Sequence, residues 1–178
     1  NYTGEVRPRD LCHVDGTWHR SVLILAVGPD GRMFVQVRSR KKKFFPLSRD
    51  SSASGHLGLT AEFADGAAKE TEEELFDETL RLDRSRLRLI GQEGRLTLIH
   101  KIPGTTLFDR ERTSVYLYFL TAQEGEKINI QASEVEGLEW VSLDEELALW
   151  REWVNDPQVF QKQRGLNGYA ALGLDILP

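Results

Sequence analysis

The stretch "SASGHLGLTAEFADGAAKETEEELF", Ser52 to Phe76, constrains the chain most. A glycine-bearing loop with one histidine runs into a helical pattern. At 3.6 residues per turn, Glu70, Glu73 and Glu74 fall at i, i+3 and i+4 and share one face, while Glu72 points elsewhere. Phe63, Ala64, Ala67, Ala68 and Leu75 mark the opposite face, which must pack on something apolar. Like charges on one turn repel. The acidic face is therefore either simply solvated or arranged around a cation. Three convergent carboxylates suit a hard divalent ion such as Mg²⁺ or Mn²⁺. Gly66 stands about one turn before Glu70, where a glycine costs about 1 kcal/mol relative to alanine and implies a close neighbour.

The segments around this helix supply a sheet for it. "HRSVLILAV" is rich in β-branched residues and reads as a buried strand, "GPDGR" as a turn and "MFVQVRS" as the returning strand of a hairpin. "RLRLIGQEGRLTLIH", "TSVYLYFLTAQ" and "GLEWVS" read as further strands. Ser142 opens a helix with Glu145 three residues on, and Leu143, Leu147, Trp150 and Val154 follow at helical spacing as core residues. The expected fold class is mixed α/β in a single domain over residues 1–178. At 40% hydrophobic residues, 178 residues can enclose a full core.

Composition narrows the partners. A net charge of -5 argues against a general nucleic-acid or membrane-surface binder. The longest apolar run, "VLILAV", is too short to span a bilayer, and the polar opening "NYTGEVRPRD" is not expected to be a signal peptide. A single cysteine, Cys12, forms no internal disulfide and fits a reducing cytoplasm. The oligomeric state has no legible signal.

The order of glycine, loop, helix and "KETEEEL" resembles the signature of the Nudix hydrolases. Gly55 takes the place of the leading glycine, Glu70 the glutamate after the arginine, and Glu73 and Glu74 the final pair. Lys69 replaces the arginine, Thr71 an apolar residue and Phe76 the late glycine, while the first glutamate's position falls on Ala61, one before Glu62. "CHVDGTWHRSVLILAV", "RSRKKKFFP" and "SASGHL" are similar to the subgroup that includes isopentenyl-diphosphate isomerase and its hydrolase relatives. The resemblance covers about residues 4–150, with a C-terminal extension beyond.

The resemblance implies a mixed β-sheet sandwiched between α-helices and a metal-dependent enzyme acting on a small-molecule diphosphate. It implies Mg²⁺ or Mn²⁺ on Glu70, Glu73 and Glu74, and a catalytic part for Glu73, Glu74 and Glu111. His13, His19 and His56 match metal-binding histidines of the isomerases, with Asp109 as a further candidate ligand. Arg38, Lys42 and Lys43 fall where the subgroup contacts a diphosphate, and Arg38 and Lys42 are expected to stand exposed at the site mouth. The implied reaction is hydrolysis of a diphosphate linkage, as in a nucleoside diphosphate joined to another moiety. The alternatives are an isomerase-like enzyme and a catalytically weak binding module. The residue before Gly55-His56 is Ser54, where the isomerases carry a cysteine, and this favours hydrolysis.

Overall fold

The computed structural model describes residues 4–42, 46–102, 105–145 and 148, without the side chains of 91–102, 105 and 107. Strand β1 (His19–Val27) is the axis of a mixed sheet. On one side it runs parallel to β6 (Thr105–Phe119), from His19 opposite Glu111 to Val27 opposite Phe119. On the other it pairs antiparallel with the short β4 (Ala53–His56), Ser21 opposite His56 and Val22 opposite Gly55. β5 (Leu87–Ile102) lies antiparallel to β6 at the sheet edge.

The expected hairpin forms only at its turn. Gly31 takes the left-handed φ of 77° that the reversal requires, and Val27 pairs with Met33. β2 (Arg32–Arg38) then leaves β1 and pairs with β7 (Val135–Ser142) and the short β3 (Arg49–Asp50). The opening admits β4, which takes up the backbone groups of β1 that β2 leaves.

Helix α1 (Arg9–Asp15) precedes β1 and ends on Gly16 at φ 72°. The sequence pattern did not mark it. Helix α2 (Phe63–Phe76) is the acidic helix. Ala67, Ala68, Leu75 and Phe76 are fully buried against Val22, Ile24, Ala53 and Tyr118. Side chains such as Leu75 and Phe76 contribute about 2–3 kcal/mol each by leaving water. Phe63 is partly buried, whereas Ala64 is exposed rather than packed. Gly66 has its close neighbour: a Cβ there would sit 1.9 Å from Leu57 Cδ2, so apolar packing explains the glycine.

Two departures from the signature have local explanations. Thr71 is fully buried in the apolar position, and its hydroxyl donates to the Ala67 carbonyl at 2.7 Å. Phe76 stays helical, and the left-handed exit falls on Asp77 at φ 44°. A short α3 (Ala122–Gly125) carries a capping box between Thr121 and Glu124. Burial works to raise the Glu124 carboxyl, but bonds from Arg86, Thr121 and Tyr118 outweigh it and hold it at about 2. Residues 143–145 are helical after Ser142, as expected, while Leu147, Trp150 and Val154 lie outside the described residues. Among the described residues no helix is long and apolar enough to cross a membrane.

Candidate metal centre

Glu70 and Glu74 of α2 lie against β4, with Glu73 on the same helical face. Glu74 is buried, and its Oε2 accepts bonds from the Ser54 backbone N–H at 3.0 Å and Gln36 Nε2 at 3.2 Å. Burial drives its carboxyl up to about 8, with Asp50 and Glu70 pushing the same way against the Ser54 bond and Lys42. Glu70 is raised too, first by burial and then by Glu73 and Glu134, while Lys69 and Lys42 oppose. Glu73 pairs with Lys69 at 2.7 Å, so lysine stands in for the signature's arginine one turn away. Glu72 turns away as expected, accepting from the Leu82 N–H at 2.9 Å and pairing with Arg81, which fixes the turn after α2.

Gly55 makes this arrangement possible. A Cβ at that position would lie 2.1 Å from Glu70 Cδ, so the Glu70 carboxylate rests directly on the β4 backbone. Gly55→Ala is expected to push this flexible carboxylate aside and leave the core intact. Turnover should fall about a hundredfold, as for a misplaced reacting group, with the thermal midpoint within about 3 °C of wild type. A folded Gly55→Ala protein with full turnover would show that Glu70 has no role there.

A second group of donors forms at the other end of β4. Alternation along β1 puts His19 and Ser21 on one face, and the parallel register sets Glu111 beside His19 and Thr113 beside Ser21. Antiparallel pairing brings His56 beside Ser21, and α1 delivers His13. One ligand atom from each of His13, His19, His56 and Asp109 lies within 4.8 Å of the others. His56 Nε2 is 2.8 Å from Glu111 Oε1, and His19 Nε2 is 3.2 Å from Asp109 Oδ1. The His19 Nδ1–H donates to the Thr17 carbonyl at 3.0 Å, which turns Nε2 into the cluster. Ser21 Oγ donates to Glu111 Oε2 at 2.7 Å.

The charges here are interdependent. Burial disfavours a protonated His19, yet its bonds to Asp109 and Glu111 outweigh this and raise it to about 10. Burial likewise works against an ionised Glu111, but bonds from His19 and His56 hold it well below the ordinary range. His13 is lowered, chiefly by burial, with Asp109 opposing. Three imidazoles with carboxylates form a donor set that fits a divalent transition ion. Ser54 and His56 are two strand residues apart, about 6.6 Å, so the two groups of donors adjoin.

The basic loop differs from expectation. Arg38 and Lys42 are partly buried, not exposed, because each meets a carboxylate: Arg38 pairs with Asp50 at 2.6 Å and Lys42 with Glu134. Lys43 lies outside the described residues. Gln36, Asp50, Glu134, Ser21 and Thr113 adjoin the site although the sequence pattern did not select them. Gln36 alone left a signal, a polar residue inside the apolar "MFVQVRS". An open cavity of about 640 Å³, lined by residues including Phe63, Leu89, Arg112 and Tyr116, contains none of the candidate site residues.

Known proteins place these features in a family. Over 72 residues the chain is 38% identical to the uncharacterized Nudix hydrolase SCO1686 of Streptomyces coelicolor, a match covering 40% of this chain and 39% of that relative. The chain thus spans about two fifths of the relative's length. The structure resembles DR0079 of Deinococcus radiodurans with a TM-score of 0.52 at 20% identity, covering 76% of this chain and 73% of that one. It also resembles a MutT protein of Methanosarcina mazei, TM-score 0.51 at 17% identity, covering 74% and 81%. At such identities the structures speak for the fold alone. The model of the NUDIX domain matches residues 17–163, which contain the acidic helix, β4 and β6, and the chain belongs to that family.

Proposed function

We propose that this protein is a metal-dependent Nudix hydrolase that cleaves a diphosphate linkage in a small molecule. The observation that carries this reading is Glu74: a buried carboxyl driven up to about 8, flanked by Glu70, in a site that favours neutralisation by a cation. Glu70, Glu73 and Glu74 would hold Mg²⁺ or Mn²⁺. Bound there, such an ion neutralises phosphate charge and acidifies a coordinated water.

The chain's own groups do the rest. Lys42 and Arg38 meet the phosphate oxygens, exchanging the carboxylates of Glu134 and Asp50 for substrate. Glu111, kept ionised by His19 and His56, accepts a hydrogen bond from the attacking water and orients it, and the proton is released to solvent. The water oxygen adds to one phosphorus as the bridging P–O bond breaks. Its electron pair leaves with the departing fragment, giving two phosphorylated products. A nucleoside diphosphate joined to another moiety is the substrate class this reading favours.

The imidazole cluster favours a second reading, since the resemblance links those histidines to isopentenyl-diphosphate isomerases. Ser54 weighs against it, because a hydroxyl is a far poorer proton relay than a thiol. A panel of nucleoside diphosphate conjugates plus isopentenyl diphosphate, assayed with Mg²⁺ and Mn²⁺, separates the readings. Hydrolysis of at least one conjugate and no dimethylallyl product are expected. No metal-dependent hydrolysis across the panel would count against the proposal. Isomerisation that is lost in Glu111→Gln would replace it.

A further inference from the structure

Gln36 is 1% exposed, held in β2 opposite Asp50 of β3 on one side and Leu138 of β7 on the other. Its Nε2 donates to Glu74 Oε2 at 3.2 Å. Its Oε1 is buried, with no hydrogen-bond partner among the described residues. With Glu74 ionised, as a bound cation would hold it, reversing the amide would set two oxygens against each other at that separation. A buried amide oxygen without a donor is destabilising, so packing does not account for this residue. An apolar side chain of similar volume would suit an apolar strand better.

The bonds on Glu74 are one-sided. Gln36 and the Ser54 N–H both fall on Oε2, which leaves Oε1 as the oxygen available to a cation. The backbone of Gln36 is fixed in β2 by pairing with β3 on one side and β7 on the other. We infer that Gln36 is a positioning residue of the carboxylate centre: its N–H fixes Oε2 of Glu74 so that Oε1 faces the ion. This rests on the reading of Glu74 as a metal ligand. Glutamine is suited to this task, since its amide donates to a carboxylate without bringing a charge of its own. Groups that orient a ligand in this way typically change metal affinity tenfold to a hundredfold when removed.

The test is Gln36→Met, with Gln36→Leu as a second variant should the first not fold. Mn²⁺ binding is followed by electron paramagnetic resonance in a His19→Ala background, which disables the imidazole cluster. Gln36→Met is expected to bind Mn²⁺ roughly tenfold to a hundredfold more weakly, with a metal-free thermal midpoint at or above that of its parent. In the otherwise wild-type chain, kcat should fall with KM unchanged at saturating Mn²⁺. A purely structural Gln36 would give the reverse, a lowered metal-free midpoint with unchanged Mn²⁺ affinity, and that result overturns the inference. Glu74→Gln in the same background separates the layers. If it weakens Mn²⁺ binding and Gln36→Met does not, only Gln36's role fails. If Glu74→Gln leaves binding unchanged, the carboxylate centre itself fails and Gln36's role falls with it.

Discussion

Glu74→Gln is expected to lower turnover about a thousandfold while making the metal-free protein more stable at high pH. Losing one ligand of a divalent ion removes several kcal/mol of charge stabilisation, and about 4 kcal/mol corresponds to three orders of magnitude in rate. Glutamine keeps the volume and the acceptor oxygen for the Ser54 N–H, so α2 and β4 stay in register. The stability effect follows from the raised carboxyl. The Glu74 carboxyl titrates at about 8 in the folded chain against an ordinary 4.5. The folded state therefore holds a proton that the unfolded chain releases. The stabilisation from that proton is complete below about pH 4.5 and is lost as pH rises through 8. Glutamine cannot ionise and escapes this loss. Thermal unfolding with chelator at pH 6 and pH 9, beside a steady-state assay, checks both halves. A variant that keeps more than about a tenth of wild-type turnover, far above the expected thousandfold loss, contradicts the assignment. So does one no more stable than wild type at pH 9.

Metal removal should also reverse the pH dependence of stability at the imidazole cluster. His19 is raised to about 10 from an ordinary 6.5, so its contribution is complete below about pH 6.5 and is lost as pH climbs through 10. Glu111 is depressed, so its contribution is present above its ordinary 4.5 and fades as acid protonates it. Metal-free protein should therefore be most stable between these limits and lose several kcal/mol by pH 10, at about 1.4 kcal/mol per pKa unit. A transition ion takes neutral imidazole and ionised carboxylate, so its binding releases protons and strengthens with pH. With Mn²⁺ present the thermal midpoint should hold or rise from pH 6.5 to 9. Replacing His19 with alanine should remove most of this difference. If the midpoints with chelator and with Mn²⁺ run parallel from pH 6 to pH 9, the cluster holds no metal.

The sequence by itself determined the acidic face and the fold class. Helical spacing places Glu70, Glu73 and Glu74 together without reference to the rest of the chain, because i, i+3 and i+4 are neighbours on any helix. Alternation marked the strands, and the glycine-to-glutamate pattern carried the resemblance to the family. Other features required the tertiary structure. Local pattern could not show that β2 leaves β1 after Val27, because hairpin signals report the turn and not the pairing beyond it. The histidines were nominated by resemblance, but their meeting depends on register. His19 faces Glu111 and Ser21 faces His56 through pairings with strands about 90 and 35 residues along the chain, and α1 must fold back to bring His13. Arg38 and Lys42 looked like exposed cations because a sequence shows charge and not its partner. Asp50 and Glu134 reach them only when β3 and the segment before β7 close on β2. Gln36 shows the division most clearly: the sequence shows a polar residue in an apolar strand, and only the closing of β3, β7 and α2 on β2 directs its amide at Glu74.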